Sequence, residues 1–227
     1  MKRQVALLSG ILFLFIMTSM ASATSMMIDH FVYDPLVPDL TANSAAALQT
    51  ATQTDATTIL GTKRFVALRW VSGQTDVTVK RPSGPANDYV TCGSEFGTVG
   101  SWEFDWGNTY AGGGSLGNFL NAGGYGFEIA FLGSDAAVGI NMTVLPTVGT
   151  PQTVVQSAPV GPGLVVFTFE SFNTIPYANF TSIDSIRFDF TAPANADFAI
   201  DYIGIIPEPT SIALFGLLGM GLIRRRR

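Results

Sequence analysis

Strict alternation of apolar and polar side chains along Ser101-Trp102-Glu103-Phe104-Asp105-Trp106 confines this stretch to sheet structure, because only a strand turns successive side chains to opposite faces. Asp76 to Lys80 and most of Ile183 to Phe190 share that period of two. Such strands are half-buried and need a second layer to cover their apolar face. Further strand candidates are Met26 to Tyr33, Lys63 to Trp70, Tyr125 to Leu132, Ala137 to Leu145, Gln152 to Gln156, Leu164 to Phe172 and Phe198 to Ile206. Clusters of Gly, Pro, Asn and Asp separate them and favour turns. Many short strands with turn signals between them predict an all-β fold, an antiparallel jelly-roll β-sandwich. Ser44 to Gln53 is the one helix-like stretch, and its shortage of large apolar residues predicts a variable loop or a single turn.

The ends of the chain differ from the body. Lys2 and Arg3 precede the apolar run Val5 to Met17, and Ala21-Ser22-Ala23 supplies the small residues that signal peptidase accepts. A signal peptide over residues 1–23, cut after Ala23, is expected. At the other end Pro207-Glu208-Pro209 precedes the apolar run Ile212 to Ile223 and then Arg224, Arg225, Arg226 and Arg227. That run is shorter than the roughly 20 residues of an ordinary span, so it suits a provisional anchor. Arginine charge stays on the cytoplasmic side of a bilayer. The order of Pro-Glu-Pro, apolar segment and basic cluster resembles the C-terminal sorting signal of the PEP-CTERM proteins of Gram-negative bacteria. The resemblance implies a short membrane helix recognised by an exosortase, with cleavage near Pro207 to Pro209. It also implies a transient stay at the inner membrane and delivery to the cell surface or extracellular matrix. The expected division is a signal peptide at 1–23, an ectodomain at 24–205 and a sorting and anchor segment at 206–227.

Removing both ends changes the charge balance. The body keeps six basic residues, Lys63, Arg64, Arg69, Lys80, Arg81 and Arg187, against sixteen acidic ones, a net charge of −10. Scattered cations on an acidic body offer no basic stripe, which argues against nucleic acid as a partner. One cysteine, Cys92, excludes an intramolecular disulfide, and a buried inert thiol is its simplest role. About 180 residues suffice for one domain with a sizeable core.

Short motifs recur across the body: Ile28-Asp29-His30-Phe31, Thr58-Ile59-Leu60-Gly61-Thr62-Lys63-Arg64, Ser115-Leu116-Gly117, Val166-Phe167-Thr168-Phe169 and Ala199-Ile200-Asp201-Tyr202-Ile203. Together they resemble a common ectodomain of PEP-CTERM proteins, whose pattern runs I-D-x-F, I-L-G-G-x-R, a Gly-Leu-Gly segment and a closing I-D-x-I strand. That ectodomain is similar to the galactose-binding-like jelly rolls used by carbohydrate-binding modules. Thr62 departs from the pattern, standing where the family carries its second glycine.

Several constellations carry residue types suited to chemistry. Gly112 to Gly117 satisfies G-x-G-x-x-G, but the Gly-rich sequence after it does not read as the helix that phosphate binding needs. Glu103 and Asp105 share one strand face at about 6.6 Å, the spacing of two residues along a strand, which falls within the range of glycosidase carboxylate pairs. Trp102, Phe104 and Trp106 read as core; alternatively Trp106 stacks on a sugar ring beside Tyr110 and Tyr125. Asp29 and Asp201 come from the first and last strands, where a structural Ca²⁺ would relieve their repulsion. The resulting expectation is a non-enzymatic exported surface or matrix protein, sorted by an exosortase and structural or associated with extracellular polysaccharide. A specific carbohydrate-binding module is the alternative, and a glycoside hydrolase a lesser one.

Overall fold

The computed structural model describes residues 26–32, 39–74, 76–80, 88–119, 124–172 and 180–207. In chain order the strands are β1 (Met26–Asp29), β2 (Leu40–Ala42), β3 (Leu48–Thr54), β4 (Lys63–Ser72), β5 (Val77–Lys80), β6 (Val90–Ser94), β7 (Val99–Gly107), β8 (Gly124–Ser134), β9 (Val138–Pro146), β10 (Gln152–Ala158), β11 (Gly163–Thr168), β12 (Ile183–Thr191) and β13 (Asp197–Pro207). One short helix, α1 (Asn108–Ala111), follows β7, and a 3₁₀ turn, Phe169–Ser171, follows β11. The first sheet runs β11-β8-β13-β6-β5-β2, with β1 also paired to β13; the second runs β10-β9-β12-β7-β4-β3. Their strand pairs are antiparallel, as the β-sandwich expectation requires.

Alternation becomes architecture in β7. Trp102, Phe104 and Trp106 are fully buried between the sheets, whereas Glu103 and Asp105 lie on the opposite face. Phe188 and Phe190 of β12 meet Trp106 and Phe104 edge to face at 6.0 and 5.8 Å, and Phe198 of β13 meets Trp102 at 5.1 Å from the facing sheet. Trp102 also donates its indole N–H to the Thr78 carbonyl of β5 at 3.0 Å, so one side chain packs and hydrogen-bonds across the sandwich. Phe119, Phe127, Phe169, Phe172 and Phe180 fill another part of the core. Fully burying each such ring contributes roughly 1.5–3 kcal/mol.

Two expectations change. Ser44 to Gln53 is largely strand: β3 pairs with β4 through Leu48–Arg69 to Thr54–Lys63 at the edge of the second sheet. Both faces of this edge strand meet solvent over most of its length, so its Leu-Gln-Thr-Ala-Thr-Gln-Thr sequence carries no apolar stripe to read. The first strand stops at Asp29 rather than Tyr33, because Phe31 adopts a positive φ of 53°. Strands β2 and β6 add to the strands the sequence predicts. The expected signal helix with Ala21 and Ala23, and the expected membrane helix with Glu208, Pro209 and Arg224 to Arg227, lie outside the described residues.

Gly61 and Thr62 both have positive φ, 76° and 71°, a conformation that glycine adopts without steric cost. A β-branched residue pays for this conformation with about 1–2 kcal/mol of steric strain. Gly61 is irreplaceable for a different reason: a Cβ there would lie 2.8 Å from the Gly114 carbonyl oxygen and from Leu116 Cδ2.

Candidate ligand groove

Asp29 and Arg64, from the first two shared motifs, meet inside the protein. Arg64 Nη1 donates to Asp29 Oδ2 at 2.7 Å, with the two side chains 2% and 0% exposed. Trp106 donates its indole N–H to the same oxygen at 2.8 Å, and the Phe31 amide donates to Oδ1 at 2.6 Å. Arg64 also donates to Gln53 Oε1, and its guanidinium lies 4.9 Å over the Phe31 ring. Four side chains from β1, β3, β4 and β7, with the Phe31 amide, thus satisfy one another, as a buried charge requires. Arg64, not a cation from solution, balances Asp29.

This network corrects two site assignments. Trp106 is 0% exposed, so its ring packs in the core and offers no surface for a sugar. Asp29 turns inward to Arg64, while Asp201 occupies a bulge of β13, between the Ile200–Phe131 and Tyr202–Ala130 pairs with β8. The bulge falls where the partner along one edge of β13 changes from β6 to β1. Among the described residues no group of three His, Cys, Asp or Glu side chains could hold a metal ion. Tyr110 lies in α1 with Arg187 stacked 4.6 Å over its ring, and Tyr125 lies half-buried on β8 of the other sheet. Trp106, Tyr110 and Tyr125 therefore form no common platform.

Glu103 and Asp105, the candidate carboxylate pair, share one cation on the outer face of the second sheet. Arg187 of β12 engages Asp105 through Nε and Nη2, both at 2.8 Å, and Glu103 through Nη2 at 3.0 Å. Burial drives the Asp105 carboxyl up to about 7, with Glu103 adding to the rise and Arg187 opposing it. Two acids share one guanidinium, so neither has a cation to itself.

The outer face of the first sheet is built differently. Val77, Val79, Val90, Cys92, Phe198 and Ile200 point inward, which turns Thr78, Thr91, Gly93 and Ala199 outward along β5, β6 and β13. These small side chains, with Gly133 of β8, floor a groove of about 640 Å³. Lys80, Tyr89, Leu132, Asp135 and Asp197 wall it. Leu132 is 47% exposed although it is large and apolar. Asp135, in the bend after β8, and Asp197, the first residue of β13, are joined through the backbone: the Asp197 amide donates to Asp135 Oδ1 at 2.8 Å, and the Asp135 amide donates to the Asp197 carbonyl at 3.1 Å. Burial pushes the Asp197 carboxyl upward, Asp135 pushes it further, and Lys80 opposes them. Gly93 keeps the floor open, since a Cβ there would collide with Asp197 Oδ1. Among the described residues no ion pair occupies Asp135, Asp197 or Lys80. Hydroxyls, carboxylates, an ammonium, a phenol and an apolar side chain in one shallow cleft suit a polar, hydroxyl-rich ligand.

Sequence reasoning missed this groove. Alternation along Val77-Thr78-Val79-Lys80 turns Thr78 and Lys80 outward, but nothing local joins them to Tyr89, Asp135 or Asp197. The Gly112 to Gly117 run is structural instead: α1 precedes it, and the Gly114 amide donates to the Gly61 carbonyl at 2.8 Å, holding two glycine turns backbone to backbone. Cys92 is buried, and burial raises its thiol well above the ordinary range, in keeping with an inert role.

Comparison with known proteins finds the PEP-CTERM protein-sorting motif at residues 206–227. No curated protein sequence matches the chain. Among solved structures, the chain is similar to a family 11 carbohydrate-binding module from Clostridium thermocellum in complex with a β-1,3-1,4-mixed-linked tetrasaccharide. The identity is 13%, the TM-score 0.39, and the match covers 81% of this chain and 95% of that one. The solution structure of CtCBM11 gives 14% identity and a TM-score of 0.44, covering 83% and 98%. TmCBM61 in complex with β-1,4-galactotriose gives 10% and 0.31, covering 75% and 89%. The motif at 206–227 begins on the last two residues of the last strand of the sandwich, and it marks this chain as an exported, cell-surface-directed protein that carries a PEP-CTERM sorting signal for exosortase processing.

Proposed function

We propose that residues 24–205 are the exported cargo of this signal and act at the cell surface as a non-enzymatic, polysaccharide-associated component. The signal peptide over 1–23 starts export, and the tail at 206–227 holds the precursor at the inner membrane until an exosortase releases it. The observation that carries the association with polysaccharide is the groove walled by Tyr89, Leu132, Asp135, Asp197 and Lys80. Its floor is small and its walls combine an apolar surface with donors and acceptors, the pairing that sugar rings and their hydroxyls require. Sugars are weakly hydrophobic on their ring faces and strongly hydrogen-bonding at their edges, so both kinds of wall are needed at once.

The test is retention of the purified sandwich on immobilised neutral polysaccharides and on a glycan array. Retention that Tyr89→Ala abolishes while the melting temperature holds supports the groove. A folded protein that no polysaccharide retains overturns the reading.

A further inference from the structure

The sorting motif begins inside the fold. It starts at Ile206, and β13 continues to Pro207. Over its last residues β13 has neighbours on both edges: Ile205, Ile206 and Pro207 pair with Phe127, Gly126 and Gly124 of β8, while Ile203, Gly204 and Ile205 pair with Asp29, Met27 and Met26 of β1. Ile203 and Ile205 are 0% and 1% exposed. Gly124 is packed tightly here, since a Cβ on it would lie 2.7 Å from Ile205 Cγ2. Proline ends the ladder naturally because it has no N–H to donate.

A protease binds its substrate as a separate extended segment. Any bond upstream of Pro207 is reached only by unpairing β13 from both neighbours and pulling isoleucines out of the core. The bonds after Pro207 carry no such barrier from the strand pairs described. From this register we infer that the sandwich folds before the tail is removed, and that the end of β13 sets the upstream limit of the cut, leaving Pro207 on the mature protein. With water as the acceptor, the retained residue gains a new carboxylate and the tail departs with a new amine. Met26 pairs with Ile205, so the start of the mature chain lies at the same pole as the cut. A precursor tethered at both ends can therefore fold without threading either one, and this pole faces the membrane while the tail is in place.

The inference rests on the sorting reading, and the test separates the two. The full chain is produced in a host with an exosortase, and the exported form is analysed by intact mass and C-terminal peptide sequencing. A C-terminus at or beyond Pro207 is expected. A short Gly/Ser linker inserted between Ile206 and Pro207, which keeps Pro207-Glu208-Pro209 contiguous, should shorten the precursor half-time severalfold in a pulse-chase, because the processing enzyme no longer has to work against the folded body. A mature C-terminus upstream of Pro207, or a half-time that the linker leaves unchanged, overturns the inference. A precursor that is never cut overturns the sorting reading itself.

Discussion

The two outer faces of the sandwich spend their charges in opposite ways. On the second sheet Arg187 is claimed by Asp105 and Glu103 and stacks on Tyr110, so the polar groups there bind one another. On the first sheet Lys80, Asp135 and Asp197 stand around a groove without ion-pair partners among the described residues. A self-satisfied cluster stabilises and has little left for a ligand; an unpaired set contributes little to folding and remains available. Polar density alone is therefore a poor guide to function, and the partners of each group are the better one.

The largest effect should come from beneath the closed face. Trp106→Ala removes a fully buried indole and one of the donors to Asp29, and a loss of about 3–5 kcal/mol is expected. Chemical denaturation measures it; a loss below about 1 kcal/mol would mean that the core tolerates the cavity and that the Asp29 network is not a unit.

Next comes Arg187→Met, which leaves Asp105 buried beside Glu103 without a cation. A cost of about 3 kcal/mol is expected, the low end for breaking a buried pair because Arg187 is 31% exposed. Adding Asp105→Asn to that variant should restore much of the loss, since the unpaired charge is what destabilises. Failure of the second change to rescue would show that packing of the guanidinium, not charge, closes this face.

The same cluster predicts a pH dependence with a definite sign. Asp105 is raised to about 7 in the folded protein from an ordinary 3.8, so the native state holds a proton that the unfolded state gives up between those values. Its contribution to stability is complete below about pH 4 and is lost as pH rises through 7. Melting temperatures measured from pH 4 to 8 should fall more steeply in the wild type than in Asp105→Asn. Parallel curves would place the pH response elsewhere.

The smallest stability effects belong to the open face. Lys80→Ala and Asp197→Asn should each move stability by less than about 0.5 kcal/mol, the usual range for surface changes, while altering retention on polysaccharide. An equal effect on stability and on retention would make the groove part of the scaffold and remove the contrast between the two faces.

Legibility varied with the kind of signal. The strictly alternating strands β7 and β12 were plain because each buries one face completely, and the bulky residues on that face stand out. Strand β3 was hidden because an edge strand in solvent has no buried stripe, and β2 and β6 because so few residues carry a weak pattern. The tail was the most legible feature of all, since an address read in an extended form must be written contiguously. Alternation alone reads Trp106 as core, and it is core, whereas the sequence does not show that Asp29 pairs with Arg64 and with the Trp106 indole. Each has a side chain suited to a site, and only packing shows that they satisfy one another.

What the sequence determined by itself is local: the period of two, the motif at 206–227, the glycines at turns and the acidic body. Those properties depend on neighbours within a few positions, or on a simple sum. The tertiary structure decided which carboxylate meets which cation. Asp29 finds Arg64 thirty-five positions away, and Asp105 finds Arg187 across eighty-two, through strand register that no local pattern encodes. The groove arose in the same way, from β5, β6, β8 and β13 brought side by side, because a ligand surface on a sheet runs across the strands while the sequence runs along them.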